Sequence, residues 1–296
     1  MKIAIYGRPF QPAVIPYVQE LFDILEQQEV EIWVYHHFSE FLEGKIASRQ
    51  HTHAFASYKD LPSDIRFMLS LGGDGTMLAA VSIIADSGIP VTGINFGRLG
   101  FLASINKDKI KDALAALLEG NYDIEKRVLL ATYKEIGGQR TLPSLSFALN
   151  DMTVMKKDSS AMITVHAYVN DELLNAYWAD GLIIATPTGS TAYSLSCGGP
   201  IVMPGSGNFI ITPISPHNLN VRPIVLGDSS LLRIEVESRS DSFLFSYDSH
   251  TESVDTGAII HIRRADFAVN LIRLKQESFF STIRHKLLWG LDTRNY

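Results

Sequence analysis

Hydrophobic positions in the first third of the chain alternate between two periods. Residues 2–6 form a short apolar run of strand type. Val18, Leu21, Phe22 and Leu25 then recur at the three- and four-residue spacing of a helix face. Residues 31–35 and 67–71 read as strands, 77–85 as a helix with Gly88 a candidate stop, and 90–94 as a strand again. Residues 52–58 show neither period and read as a loop. Such alternation predicts a parallel sheet covered by helices. Ile110, Leu114, Leu117 and Leu118 mark one more amphipathic helix, with Asn106 as its cap and Gly120 as its stop.

Beyond residue 123 the period changes to two. Leu232, Ile234 and Val236 alternate with Arg233, Glu235 and Glu237, and Ile260 and Ile262 flank His261. Further strand-like runs lie at 162–169, 182–185, 209–212 and 243–247. Many short strands at this spacing predict an antiparallel β-sandwich. Phe279, Phe280, Ile283, Leu287 and Leu288 return to helical spacing. A lone helix after a β domain needs somewhere to bury its apolar face, and the first domain offers it. The expected organisation is an α/β domain over 1–123, completed by 272–296, and a β-sandwich domain over 124–271.

Composition narrows the function classes. Of 296 residues, 46% are apolar and 20% charged, and 26 basic against 32 acidic residues leave a net charge of −6. That balance gives no general attraction to nucleic acid or to an anionic membrane, so neither is expected as a partner. An anionic substrate needs a local positive site. Cys197 is the single cysteine, which excludes an intrachain disulfide, a cysteine zinc site and a Cys-x-x-Cys redox pair. Gly7, Arg8 and Pro9 interrupt the apolar start, and no run reaches the ~20 apolar residues of a membrane span. A soluble, cytoplasmic protein is expected.

Candidate chemistry begins at residues 69–78, LSLGGDGTML. Gly72 and Gly73 directly follow a buried strand, where glycine permits positive φ and close approach of a ligand to the backbone. Ligands bind beyond the carboxyl ends of strands in open α/β sheets, and a helix starting near Thr76 aims its first N–H groups there, a geometry that suits phosphate. Asp74 repels phosphate, but it suits a site where a hydroxyl proton is accepted or a metal ion faced. The alternative is a tight strand-to-helix turn in which Asp74 or Thr76 is only a cap. The pattern is neither Walker A nor G-x-G-x-x-G.

Residues 180–200, DGLIIATPTGSTAYSLSCGGP, put seven hydroxyls between Thr186 and Ser196, with Pro187 and Gly189 forcing a turn among them. Local bonding of side chains to backbone is the competing explanation of such a loop. Asn150-Asp151 can hold a ribose diol, since the amide donates and accepts while the carboxylate accepts, or can be a turn before the strand at Thr153. INFGRLGFL, residues 94–102, follows the next strand after the glycine turn and belongs on the same sheet edge.

Together LGGDGT (71–76), INFGRLGFL (94–102), Asn150-Asp151, 180–200 and ITPISPHNLNVRPIV (211–225) resemble the NAD kinase family in order and spacing. The resemblance implies a Rossmann-like α/β domain, a C-terminal antiparallel β-sandwich and a last helix returning to the first domain. It implies transfer of the ATP γ-phosphate to the 2′-hydroxyl of the adenosine ribose of NAD. By the same resemblance Asp74 is the catalytic proton acceptor, and Gly72, Gly73, Gly75 and Thr76 face the ATP phosphates. Asp74, Gly75 and Phe101 line the adenosine end of NAD, and Asn150 and Asp151 contact the dinucleotide. Asp180 lies toward the nicotinamide, and Thr191, Ala192, Tyr193 and Ser196 wrap the dinucleotide. No protein metal ligands are implied; Mg²⁺ is expected to arrive with ATP, and a homodimer or homotetramer is expected.

Three positions depart from the family pattern. Trp178 replaces a basic residue at the nicotinamide end. His250 replaces glutamine and is either a pH-sensitive hydrogen-bonding partner or a surface loop histidine. Cys197 stands where a small residue is usual and reads as a buried small side chain rather than a nucleophile. Arg127 and Arg222 read as ion-paired surface arginines near the motifs, each a second candidate for phosphate. Two other classes remain: a non-catalytic NAD(P) sensor on the same fold, and a lipid kinase sharing GGDGT.

Overall fold

A computed structural model describes residues 1–47, 52–97, 100–142, 146–157, 161–275 and 278–289. Arg98 and Leu99 of the 94–102 stretch lie outside the described residues. The chain divides into two compact units, Met1–Lys126 with Val269–Tyr296, and Arg127–Ala268.

The first unit runs β1 (Lys2–Gly7), α1 (Ile15–Gln27), β2 (Glu31–Tyr35), α2 (His36–Leu42), β3 (Thr52–Phe55), β4 (Ile65–Leu71), α3 (Asp74–Ile84), β5 (Val91–Asn95), β6 (Ile105–Asn106) and α4 (Ile110–Glu119). Its strands pair in parallel in the order β5-β4-β1-β2-β3. The chain therefore goes one way from β1 and comes back to build the other side, so the order reverses between β1 and β4. Pro16 sits in the first turn of α1, where its missing N–H costs nothing, and α1 buries Val18, Leu21, Phe22 and Leu25, the four residues of the expected face. Full burial of each such side chain contributes about 1.5–3 kcal/mol.

Four local expectations need correction. Gly88 does not stop the helix, because α3 ends at Ile84 with Ala85, at φ +44°, as its C-cap. Residues 52–55 are not loop but the edge strand β3, paired with β2; two of its four residues are exposed, so an apolar alternation never develops. The helix after the glycine turn starts at Asp74 rather than near Thr76, because the turn is complete at the N-cap Gly73 and the polar first turn carries no apolar period. Asn106 accepts the Asp108 N–H at 3.0 Å and so caps a short 3₁₀ turn leading into α4, while Gly120, at φ +80°, does close α4.

The second unit contains most of β7 (Tyr122–Ile136), then β8 (Gln139–Thr141), β9 (Phe147–Ala148), β10 (Asp151–Met155), β11 (Ile163–Val169), β12 (Glu172–Ala179), β13 (Gly181–Ala185), α5 (Tyr193–Ser196), β14 (Asn208–Ile214), β15 (Ile224–Gly227), β16 (Leu232–Glu237), β17 (Ser242–Tyr247), β18 (His250–Asp255) and the first part of β19 (Ile259–Leu274). One antiparallel layer has the order β15-β14-β13-β10-β17-β18, and the other places β12, β11, β16 and β19 side by side. Met152, Leu182, Ile184, Phe209 and Phe245 of the first layer meet Val165, Ala167, Ile234 and Ile260 of the second in one core. The alternation read in residues 232–236 is this inner face. β13 is buried on both faces, because Ile183 and Ala185 pack outward against Cys197 and Val202.

The last residues rejoin the first unit. Leu271 of β19 pairs with Val91 of β5, and α6 (Phe279–Leu287) follows, closed at its start by a Ser278–Ser281 capping box. Ile283 is its buried residue, and Arg284, His285 and Lys286 occupy its last turn, where the helix dipole favours cations.

Candidate active site

The carboxyl ends of β1, β4 and β5 lie side by side at the point where strand order reverses, the usual ligand position of an open α/β sheet. A cavity of about 480 Å³ opens there, lined by Arg8, Gly72, Gly73, Asp74, Thr76, Asn95, Lys286 and their neighbours. Gly72 has φ +151°, and a Cβ on it would stand 2.3 Å from Thr76 Oγ1. Gly73 is ordinary: its φ is −81°, and the nearest atom to an added Cβ is Asn95 Nδ2 at 4.0 Å. Positive φ is thus needed at Gly72 alone. Gly72→Ala is expected to cost about 1–3 kcal/mol through strain and overpacking, whereas Gly73→Ala leaves thermal stability unchanged. Equal melting temperatures for the two variants would contradict this assignment.

Asp74 opens α3 but caps nothing, and neither does Thr76; the N-cap Gly73 has no side chain to offer. The carboxylate reaches sideways instead. Oδ2 accepts the Phe101 N–H at 2.8 Å, and Oδ1 accepts those of Leu102 and Ala103 at 3.0 and 2.9 Å. Lys286 Nζ stands 3.9 Å from Oδ2 and 4.7 Å above the Phe101 ring. Gly100 packs so tightly that a Cβ there would fall 1.8 Å from Asp74 Oδ1. Gly75 is exposed beside this carboxylate. Sequence reasoning placed Asp74 but missed Arg8 and Lys286; Arg8, directly after β1, could have been found from the strand-end rule.

In the second unit, Asp151 begins β10 directly after Asn150, and the Asp248 carboxylate gathers the N–H groups of Leu149, Asn150 and Asp151 at 2.8, 2.8 and 3.3 Å. Burial, and then the neighbouring Asp248, push the Asp151 carboxyl up to about 7. Burial also raises Asp248, against the three N–H groups that favour its anion. Asp248 was not expected from the sequence; its role is visible only once β10 and β17 pair.

The hydroxyl loop splits into two sets. Thr186, Thr188, Ser190 and Ser194 are buried. Thr186 donates to the Leu149 carbonyl at 2.5 Å, Ser190 donates to that of Pro187 at 2.7 Å, and Ser194 shares a hydrogen bond with Thr212 at 2.8 Å. These hydroxyls hold the loop, as the competing explanation had it. Thr191, Ala192, Tyr193 and Ser196 are partly or fully exposed. Tyr193 is raised by burial and by the nearby Cys197, Asp151 and Asp180, so these side chains form one neighbourhood.

Residues 3–122 match the ATP-NAD kinase N-terminal domain and residues 149–274 the ATP-NAD kinase C-terminal domain. The chain is 45% identical over 296 residues to the NAD kinase of Cytophaga hutchinsonii, with all of both chains covered. It is 43% identical to that of Flavobacterium psychrophilum, again over the whole of both chains, and 40% identical to that of Bacteroides fragilis, covering 99% of this chain and 100% of the relative. The chain belongs to the NAD kinase family. Its activity is NAD kinase activity, which selects the enzyme from the three classes left open by the sequence. Two solved structures share the NAD kinase fold. Yeast NADH kinase complexed with NADH superposes with a TM-score of 0.89 at 24% identity, covering 99% of this chain and 88% of that one. An Archaeoglobus fulgidus NAD kinase in complex with ATP gives 0.69 at 23%, covering 97% and 99%.

The departures from the NAD kinase pattern have local explanations. Trp178 is half-exposed and packs on His217, with ring centroids 4.3 Å apart. A basic side chain near Asp180 is still present, because Lys156 Nζ lies 2.6 Å from Asp180 Oδ1. His250 is exposed as the first residue of β18 rather than in a loop, parallel to the Tyr247 ring at 5.7 Å. Cys197 is partly buried, and burial and Asp151 raise its thiol, which disfavours a nucleophilic thiolate. Arg127 is not a surface residue: it is buried and donates to Thr188 Oγ1 at 3.3 Å. Arg222 is exposed and folds back on its own loop, donating to the Leu219 and Val221 carbonyls.

Proposed function

We propose that Asp74 accepts the proton of the NAD 2′-hydroxyl while the GGDGT turn holds the phosphates of ATP. The carrying observation is the inventory at its carboxylate. Of about four lone-pair sites on a carboxylate, three receive the N–H groups of Phe101, Leu102 and Ala103, which leaves one, on Oδ2. The hydroxyl gives its proton to that site as its oxygen bonds to the γ-phosphorus. The bond from that phosphorus to the β–γ bridging oxygen breaks, and ADP leaves with the electron pair. Such a transition state is loose, so positioning and charge neutralisation supply most of the acceleration. Gly72, Gly73, Gly75 and Thr76 form the phosphate-facing surface, helped by the first-turn N–H groups of α3.

Gly75 and Phe101 receive the adenosine end of NAD. In the second unit Asn150, Asp151, Asp180, Thr191, Ala192, Tyr193 and Ser196 supply dinucleotide contacts, flanked by Trp178 and His250. Among the described residues no three His, Cys, Asp or Glu side chains gather as a metal site. Mg²⁺ would arrive with the triphosphate and offset phosphate charge in the cavity where Asp74 stands. The enzyme works as a homodimer or homotetramer, for which Leu173, Trp178 and Tyr193 offer exposed apolar surface on the second unit. It works in the cytoplasm; among the described residues no helix is long and apolar enough to cross a membrane.

The reading is tested by NADP formation from ATP, Mg²⁺ and NAD with the unaltered chain and with Asp74→Asn. An Asp74→Asn enzyme with normal turnover would remove Asp74 from the proton transfer.

The dinucleotide side has its own test. Ionised Asp151 accepts from ribose hydroxyls, and its carboxyl stands at about 7 instead of 3.8. NAD binding therefore strengthens as pH rises through 7. Stability moves the opposite way: a raised carboxyl contributes fully below pH 3.8 and loses that contribution as pH rises to about 7. The KM for NAD, measured between about pH 5.5 and 8.5, is expected to fall with an inflection near 7, and Asp151→Asn to flatten the profile. A flat profile in the unaltered chain would sink the role given to ionised Asp151.

A further inference from the structure

Two cations line the GGDGT cavity with no part yet in the reaction. Arg8 and Lys286 face it alongside the single carboxylate of Asp74, in a chain whose net charge is −6. Arg8 is exposed and makes no ion pair or hydrogen bond among the described residues. Lys286 behaves differently from its neighbours in the last turn of α6. Arg284 and His285 are exposed, whereas the Lys286 side chain retains 27% of its exposure and turns toward Asp74 and the Phe101 ring. Favour from the helix dipole explains a cation in this turn, but not its inward direction.

The 3.9 Å between Lys286 Nζ and Asp74 Oδ2 is an approach rather than a bond. Charge-assisted hydrogen bonds close to about 2.7–2.9 Å, and the chain makes such a pair between Lys156 and Asp180 at 2.6 Å. Lys286 is held beside the one oxygen with a free acceptor site, its own donors uncommitted. The reacting hydroxyl must hydrogen-bond that oxygen, and the attacked phosphorus must lie about 3–3.5 Å from the hydroxyl. A phosphate so placed comes within the swing of the Lys286 side chain and carries more charge than a carboxylate.

We propose that Lys286 binds the γ-phosphate of ATP, leaving Asp74 Oδ2 to the 2′-hydroxyl as it does so, and that Arg8 binds the phosphates farther from the reacting centre. The inference rests on the assignment of the GGDGT cavity to ATP. Lys286 then serves twice: it orients the carboxylate before the nucleotide arrives, and it neutralises phosphate charge afterwards.

Steady-state kinetics with each substrate varied in turn separate this from a packing role. Lys286→Gln is expected to lower kcat/KM for ATP about 10- to 100-fold, with less than about a twofold change in KM for NAD. Lys286→Arg recovers most of the loss, and Arg8→Gln raises the KM for ATP with kcat retained. Unchanged ATP kinetics in Lys286→Gln, or a rise in the KM for NAD as large as that in the KM for ATP, overturns the proposal. Acylation of the Lys286 amine in the unaltered chain, followed by mass spectrometry, needs no variant to fold. ATP should slow it and NAD alone should not; absence of protection by ATP also overturns the proposal. Loss of turnover in Asp74→Asn beside an unaffected Lys286→Gln defeats this inference alone, whereas full turnover in Asp74→Asn defeats the underlying site assignment.

Discussion

Asp74→Asn is expected to lower kcat about 100- to 10,000-fold, the range associated with loss of a general base. An amide oxygen still accepts a hydrogen bond, but it does not take a proton at neutral pH. The substitution is not silent for the fold either. Oδ1 can remain an oxygen and keep the N–H groups of Leu102 and Ala103, but Oδ2 then becomes an NH₂ facing the Phe101 N–H. Donor meets donor, and the loss of that acceptor costs about 1–3 kcal/mol. Thermal unfolding should therefore fall modestly while the collapse in turnover is far larger, and NAD binding by calorimetry should survive. Turnover lost with stability untouched would mean that Asp74 does not hold the 101–103 segment as described.

That double duty shows where the sequence stops being legible. Local periodicity carried the α1 face, the β2 and β4 strands and the inner face of β16, because each is a matter of neighbours in the chain. β3 escaped because an edge strand exposed at two of its four positions has little apolar pattern to show. The GGDGT turn could be located, since Gly72 announces a strained backbone, but the partners of Asp74 lie 27 to 29 residues away and Lys286 near the far end of the chain. No spacing rule connects them; only the parallel sheet and the returning helix do. The hydroxyl loop fails for a different reason. Its composition drew attention to seven hydroxyls, yet four are structural. A period was present: Thr186, Ser190 and Ser194 recur every fourth residue, so the buried side of the loop was partly written in the chain. Asp248 and Lys156 were overlooked because a lone acid or lysine carries no pattern until a sheet brings it to its partner.

Gly100→Ala tests the site without touching any reacting group. The added methyl would fall 1.8 Å from Asp74 Oδ1 and 2.6 Å from its Cγ, far inside contact distance. Backbone conformation gives no relief and no excuse, since Gly100 is not at positive φ and the conflict is purely one of space. The carboxylate cannot simply step aside, because the N–H groups of Phe101, Leu102 and Ala103 fix both of its oxygens. Either Asp74 turns out of that cradle or the 100–103 segment backs away from it. Overpacking of this kind costs about 1–3 kcal/mol, and a misplacement of about 1 Å at a reacting group can cost on the order of 100-fold in rate. We expect kcat to fall about 10- to 100-fold with a lowered melting temperature. Gly97→Ala is the packing control, because among the described residues its Cβ would meet nothing nearer than Asn95 Oδ1 at 3.7 Å, and it should keep the wild-type melting temperature. A Gly100→Ala enzyme as fast as the unaltered one would place the catalytic arrangement elsewhere. The segment would then have to leave Asp74 before phosphoryl transfer, and the cradle would be a resting state rather than the working one.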